Sequence, residues 1–74
     1  MPRENLKRAR KGKNMTQQAM ADFLGVTLRH YQRIESASTV GPFELWDALE
    51  DFLGEHQRIL REVSDNRRAQ AKNP

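Results

Sequence analysis

Residues 27–36 read Thr-Leu-Arg-His-Tyr-Gln-Arg-Ile-Glu-Ser. Wound as a helix at about 100° per residue, this stretch has an inward side set by Tyr31 and Ile34. The opposite side carries Arg29, Gln32, Arg33 and Ser36, with Leu28 on the boundary at its N-terminal end. These side chains suit the reading of base edges. An arginine donates two hydrogen bonds to guanine O6 and N7, a glutamine pairs with adenine, and a leucine meets a thymine methyl. The alternative, which these residues alone leave open, is a solvated polar face of the kind every surface helix has.

No second constellation offers chemistry. Among the 74 residues there is no cysteine, so disulfides and cysteine-based zinc sites are excluded. His30 and His56 are far apart, without a carboxylate or cysteine arrangement that would make them metal ligands. No Ser/His/Asp or Cys/His pairing, paired-carboxylate site or phosphate-cradling loop is present. The chain is therefore expected not to be an enzyme and to need no cofactor or metal. Its apolar runs are too short to span a bilayer or to form a signal-peptide core, so a soluble, intracellular protein is expected.

Charge is unevenly spread. Residues 1–15 carry Arg3, Lys7, Arg8, Arg10, Lys11 and Lys13 against Glu4 alone, whereas residues 41–54 carry Glu44, Asp47, Glu50 and Asp51 with no base. A basic end beside an acidic segment suggests one side that faces a polyanion and one that does not. A solvated basic terminus is the other reading.

Glycine and proline mark off the elements that must position these residues. Pro2, Gly12, Gly25, Gly41-Pro42 and Gly54 divide the chain into helix-length pieces, none alternating like a strand. Expected helices run from about Arg3 to Lys11, from Thr16 as N-cap to Gly25, from Thr27 as N-cap to about Ser36, from Pro42 to Gly54, and over about 55–66. The expected fold class is all-α, a bundle of about five short helices. Residues 1–66 form the domain and residues 67–74 a polar, frayed tail. Met15, Met20, Trp46 and Phe52 read as packing, while Phe23 lies off the buried stripe of its helix and is a candidate partner contact.

Residues 17–36 carry the specific signal. Two helices joined across Gly25 and Val26 must cross steeply. That crossing needs a small side chain at Ala21, positive φ at Gly25, and Met20, Leu24, Val26, Tyr31 and Ile34 to close the wedge. All seven positions are filled accordingly. Together with Leu6, Arg10, Met15, Thr16, Gln17, Thr27 and Glu35, they give residues 3–54 a spacing that resembles the phage-repressor and Cro class of helix-turn-helix regulators, the XRE family. Two departures stand out. Ala37 occupies a position where relatives usually have glycine, and the loop 36–41 lacks the basic residues many of them set against a phosphate.

The resemblance implies a lambda-repressor-like DNA-binding domain that places the 27–36 helix in the major groove, with Leu28, Arg29, Gln32 and Arg33 as base readers. It implies that Gln17 grips the DNA backbone and that Arg10 and Glu35 form a structural ion pair fixing the reading helix. Thr16 and Gln17 also open a helix whose free N–H groups and dipole favour an anion, although Thr16 serves equally as an N-cap. Lys11, Lys13, Thr27 and Ser36 complete the expected phosphate contacts.

The function expected from this reading is a sequence-specific regulator of double-stranded DNA, a small bacterial or phage repressor. A homodimer on a palindromic operator is expected, with Phe43, Ile59, Leu60 and Val63 as its candidate surface. The last three could instead fold back and complete the core. The rival reading is an antitoxin-like interaction module with a second protein chain as partner and DNA binding secondary.

Overall fold

The computed structural model describes residues 2–63. Five helices follow one another, and no strand occurs among the described residues: α1 (Glu4–Gly12), α2 (Gln17–Leu24), α3 (Leu28–Glu35), α4 (Phe43–Leu53) and α5 (Gln57–Arg61). The frayed tail expected over 67–74, and the end of the domain expected at residue 66, lie outside the described residues.

Local chemistry fixes α2 and α3 at both ends. The Thr16 hydroxyl accepts the Ala19 N–H at 3.0 Å, and the Thr27 hydroxyl accepts the His30 N–H at 3.0 Å. Each supplies an acceptor for one of the otherwise unmatched first-turn donors. Gly25 ends α2 in the left-handed region at φ 74°, and the Val26 N–H reaches back to the Ala21 carbonyl at 3.0 Å. Only a residue without Cβ takes this turn freely. It lets α3 start after a link of only three residues. Where the two helices cross, Ala21 is fully buried, so a larger side chain there would overpack the contact by about 1–3 kcal/mol.

The core is a single cluster of Leu6, Met20, Ala21, Tyr31, Ile34, Leu45, Trp46, Leu49 and Leu60. Met15, Leu24, Val26 and Phe52 pack against it, half-buried. Trp46, the largest of the fully buried side chains, donates its indole N–H to the Val40 carbonyl at 2.7 Å, tying α4 to the loop before it.

Two expectations need correction. The last helix is shorter than the span 55–66. His56 starts it by accepting the Arg58 N–H on its imidazole, and Glu62 is already extended at ψ 132°. Leu60 is fully buried, because α5 folds back onto α1 and α4 and inserts it into the core. It is therefore closed to a second copy. Ile59 and Phe43 stay exposed and Val63 is half-buried.

Arg3 is the unexpected structural residue. Its charge belongs to the basic N-terminal run in sequence, yet the side chain is buried. Its guanidinium donates to the carbonyls of Arg61, Ile34 and Thr39 and stacks over the Trp46 ring at 5.3 Å. Burial, followed by repulsion from Arg61, pulls its pKa below the ordinary arginine value. Arg3 thus ties the start of α1 to the ends of α3 and α5. Its charge is spent inside the molecule and is lost to any outward basic surface.

Candidate nucleic-acid interface

α3 presents Arg29, Gln32 and Arg33 to solvent, and Ser36 at its C-cap is exposed as well, whereas Leu28 is half-buried and only partly available. The opposite side of the helix, Tyr31, Ile34 and Glu35, is buried. Sequence periodicity and structure agree on which side is which.

Glu35 is what holds that orientation. Its carboxylate accepts four hydrogen bonds, from Arg10 Nε at 2.8 Å, Arg10 Nη2 at 3.2 Å, Tyr31 Oη at 2.6 Å and Gln17 Nε2 at 3.0 Å. Four is the full capacity of a carboxylate. Burial alone would push the Glu35 carboxyl up. The hydrogen bonds from Arg10, Tyr31 and Gln17 and the charge of Arg10 outweigh it and hold the group below its ordinary range. The hydrogen bond to Glu35 likewise holds the Arg10 guanidinium above its usual value, against burial. Burial first, then the bond to Glu35, raises the Tyr31 phenol, so it remains a donor. Arg10 adds a bond from Nη1 to the Met15 carbonyl at 2.6 Å. One buried carboxylate therefore fastens α1, the turn after it, α2 and α3.

Gln17 couples this interior network to the surface. Its Nε2 donates to Glu35 while its Oε1 accepts from Gln32 Nε2 at 3.3 Å. Gln17 and Gln32, one at the start of α2 and one on the outer side of α3, are thereby joined. The backbone N–H groups of Gln17 and Gln18 have no acceptor among the described residues. With the helix dipole behind them they form a surface suited to an anion. Thr16 is exposed beside them, its oxygen already serving as the cap. Thr27 has the same arrangement at the start of α3. Ser36 turns its hydroxyl back to the Arg33 carbonyl at 3.2 Å and lies 3.0 Å from the Ser38 hydroxyl.

The two lysines lie in the last turn of α1 and at its C-cap. Lys13 holds its ammonium 5.4 Å over the Phe52 ring, on the side of α4. Lys11 lies with Glu4, Lys7 and Arg8 around a shallow hollow on the outer surface of α1. Of the six basic residues in the N-terminal run, Arg3 and Arg10 are buried, so that surface is less basic than composition suggests. Sequence reasoning missed Arg3, whose hydrogen bonds all go to backbone carbonyls that no residue pattern reveals. It also missed Tyr31 as a donor, since its spacing marks it only as apolar packing.

A family model described as a helix-turn-helix matches residues 6–56. No curated protein and no solved structure matches the chain. No described helix is long and apolar enough to cross a membrane.

Proposed function

The chain belongs to the helix-turn-helix family of the phage-repressor and Cro (XRE) type, a family of regulators that bind double-stranded DNA, and on that premise we propose that it is a sequence-specific repressor acting as a homodimer on a palindromic operator. Residues 1–66 are the DNA-binding unit, working in the cytoplasm. α3 enters the major groove, where Arg29 and Arg33 read guanines, Gln32 reads adenine, and Leu28 touches a thymine methyl at the edge of the contact. Thr16, Gln17, Thr27 and Ser36 hold phosphates beside the groove, and Lys11 and Lys13 add a longer-range attraction.

One observation carries this reading. The outer side of α3 combines exposed Arg29, Gln32 and Arg33 with a buried side anchored through the saturated Glu35 carboxylate. A helix held this firmly keeps donors in register with base edges, which a loosely tethered polar face would not do. A single module of this size buries roughly 600–1,000 Å² on DNA, which motivates pairing two copies on half-sites about one helical turn apart. Phe43, 76% exposed, and Ile59, 41% exposed, are the side chains assigned to that pairing, with the half-buried Val63 beside them in the assignment.

Selection of binding sites from randomised duplex DNA tests the function. Recovery of a palindrome with arms about a turn apart is expected, and retention of DNA with no common sequence would refute base reading.

A second reading draws on Phe23. It is 49% exposed, with its ring centroid 4.6 Å from that of the half-buried Phe52, so an aromatic pair reaches the surface. Such a patch fits an antitoxin-like module with a second protein chain, and co-purification of a stoichiometric partner that is lost in Phe23→Ser would favour it.

A further inference from the structure

Beside α3, on the flank towards the following loop, lies an open notch of about 290 Å³ lined by Thr27, Arg29, His30, Arg33 and Thr39. The residues that line it carry two guanidinium groups, one imidazole and two hydroxyls, and no carboxylate. The side chains of Arg29, His30 and Arg33 are exposed and make no hydrogen bond or ion pair among the described residues. Glu35, an acid on the same helix, is buried and fully occupied by Arg10, Tyr31 and Gln17. It cannot neutralise them.

The loop wall is held in place. The Thr39 N–H bonds the Arg33 carbonyl at 3.3 Å, and the Thr39 carbonyl accepts from the buried Arg3 guanidinium at 3.0 Å. At about 100° per residue, His30 and Gln32 fall on opposite flanks of the line through Arg29 and Arg33. Gln32 leans towards Gln17 at the start of α2, whereas His30 faces the notch. A groove that receives α3 has a phosphate backbone on each side. One backbone then meets the start of α2, and the other meets the notch. The loop 36–40, Ser-Ala-Ser-Thr-Val, has no cation of its own to offer on that second side.

We propose that the notch between α3 and the loop, lined by Thr27, His30 and Thr39 with Arg29 and Arg33 at its reading edge, is a seat for one DNA phosphodiester, with His30 supplying the donor that the loop lacks. The proposal rests on the DNA-reading function above. His30 is a phosphate contact under it, distinct from the base readers beside it. The imidazole N–H and the Thr39 hydroxyl donate to the non-bridging oxygens, and the nearby arginines favour the anion without contacting it directly.

The test is equilibrium binding of the full chain to its selected operator and to random duplex, for the unsubstituted chain, His30→Ala and His30→Arg. His30→Ala is expected to weaken both duplexes by the same factor, roughly threefold to tenfold for the loss of one hydrogen bond. Base preference should be unchanged, and His30→Arg should restore affinity. In a scan that replaces operator phosphates one at a time with neutral methylphosphonate, one position per half-site should weaken the unsubstituted chain and leave His30→Ala no weaker than before. Because the His30 side chain is exposed, melting curves for all three proteins should coincide. Selection of a clear operator with no loss on His30→Ala, or a loss confined to one base position, would overturn the seat alone. Failure to select any sequence, with His30→Ala still weakening random duplex, would refute base reading and leave the seat standing.

Discussion

Arg10 meets Glu35 edge to edge, Nε to Oε2 at 2.8 Å and Nη2 to Oε1 at 3.2 Å, with both side chains nearly sealed from water. Paired donors matched to paired acceptors make this the strong, geometrically specific form of ion pair. Removing one partner of such a pair leaves a buried charge without compensation, at a cost of about 3–5 kcal/mol. A core this small supplies little more than that, ~3–5 kcal/mol in total. Arg10→Met should therefore leave most of the protein unfolded at room temperature, seen as lost helical circular dichroism. Adding Glu35→Met and Tyr31→Phe, which remove the orphaned acceptor and its remaining buried donor, should recover much of the signal. An unchanged melting temperature in Arg10→Met would show that the pair carries no net stability.

Acid should act through the same carboxylate. The folded Glu35 carboxyl binds a proton less readily than its ordinary value of 4.5 implies, because burial is outweighed by Arg10, Tyr31 and Gln17. Protonation therefore favours the unfolded chain. Its contribution should be complete above about pH 4.5 and be lost as the pH falls through the lower folded value. Urea unfolding at a series of pH values from 7 downward should show this loss. Glu35→Gln, although less stable throughout, should show a shallower acid limb. An identical slope in both proteins would remove Glu35 as the group responsible.

The helix-turn-helix was legible in the sequence because its demands fall on residue type: a cap at Thr16, a small side chain at Ala21, a left-handed glycine at Gly25, apolar wedges at Tyr31 and Ile34. The outward side of α3 followed from periodicity alone. Arg10 and Glu35 were legible through resemblance, since their separation along the chain gives no local sign of contact. Other features were not readable. Arg3 looks like any basic residue near a terminus until the carbonyls of Ile34, Thr39 and Arg61 converge on it. Leu60 lies in a stripe too narrow to say whether it faces the core or a partner. The amide of Gln17 satisfies Glu35 and Gln32 together, a bridge that exists only once α2 and α3 have crossed.

Ala37 carries a strain that can be relieved. It sits at φ 70°, in the left-handed region, and its N–H closes the end of α3 onto the Ile34 carbonyl at 3.1 Å. An L-residue with a Cβ pays about 1–2 kcal/mol for that conformation, whereas glycine adopts it freely. The greater freedom of glycine in the unfolded chain offsets part of the gain. Ala37→Gly should stabilise the domain by about 0.5–1 kcal/mol, raising the melting temperature by roughly 2–8 °C. A fall in melting temperature would mean that the strain is not relieved there.

Arg33 and Lys11 should fail in different ways when removed. Arg33 is exposed on the outer side of α3, whereas Lys11 lies on the outer surface of α1 with Lys7 and Arg8 and makes no hydrogen bond or ion pair with α3 among the described residues. A guanidinium that pairs with a guanine edge discriminates against other bases by about 1–3 kcal/mol. Arg33→Ala should therefore weaken the operator far more than random duplex and relax preference at one position. A lysine that acts through the phosphate field has no base to distinguish. Lys11→Gln should weaken every duplex alike and reduce the slope of log affinity against log salt by roughly one unit. Titrating both variants against operator and random DNA over a salt series separates the two roles. Equal weakening of both duplexes by Arg33→Ala would remove it from the base readers, and an unchanged salt slope in Lys11→Gln would place that lysine outside the reach of the DNA.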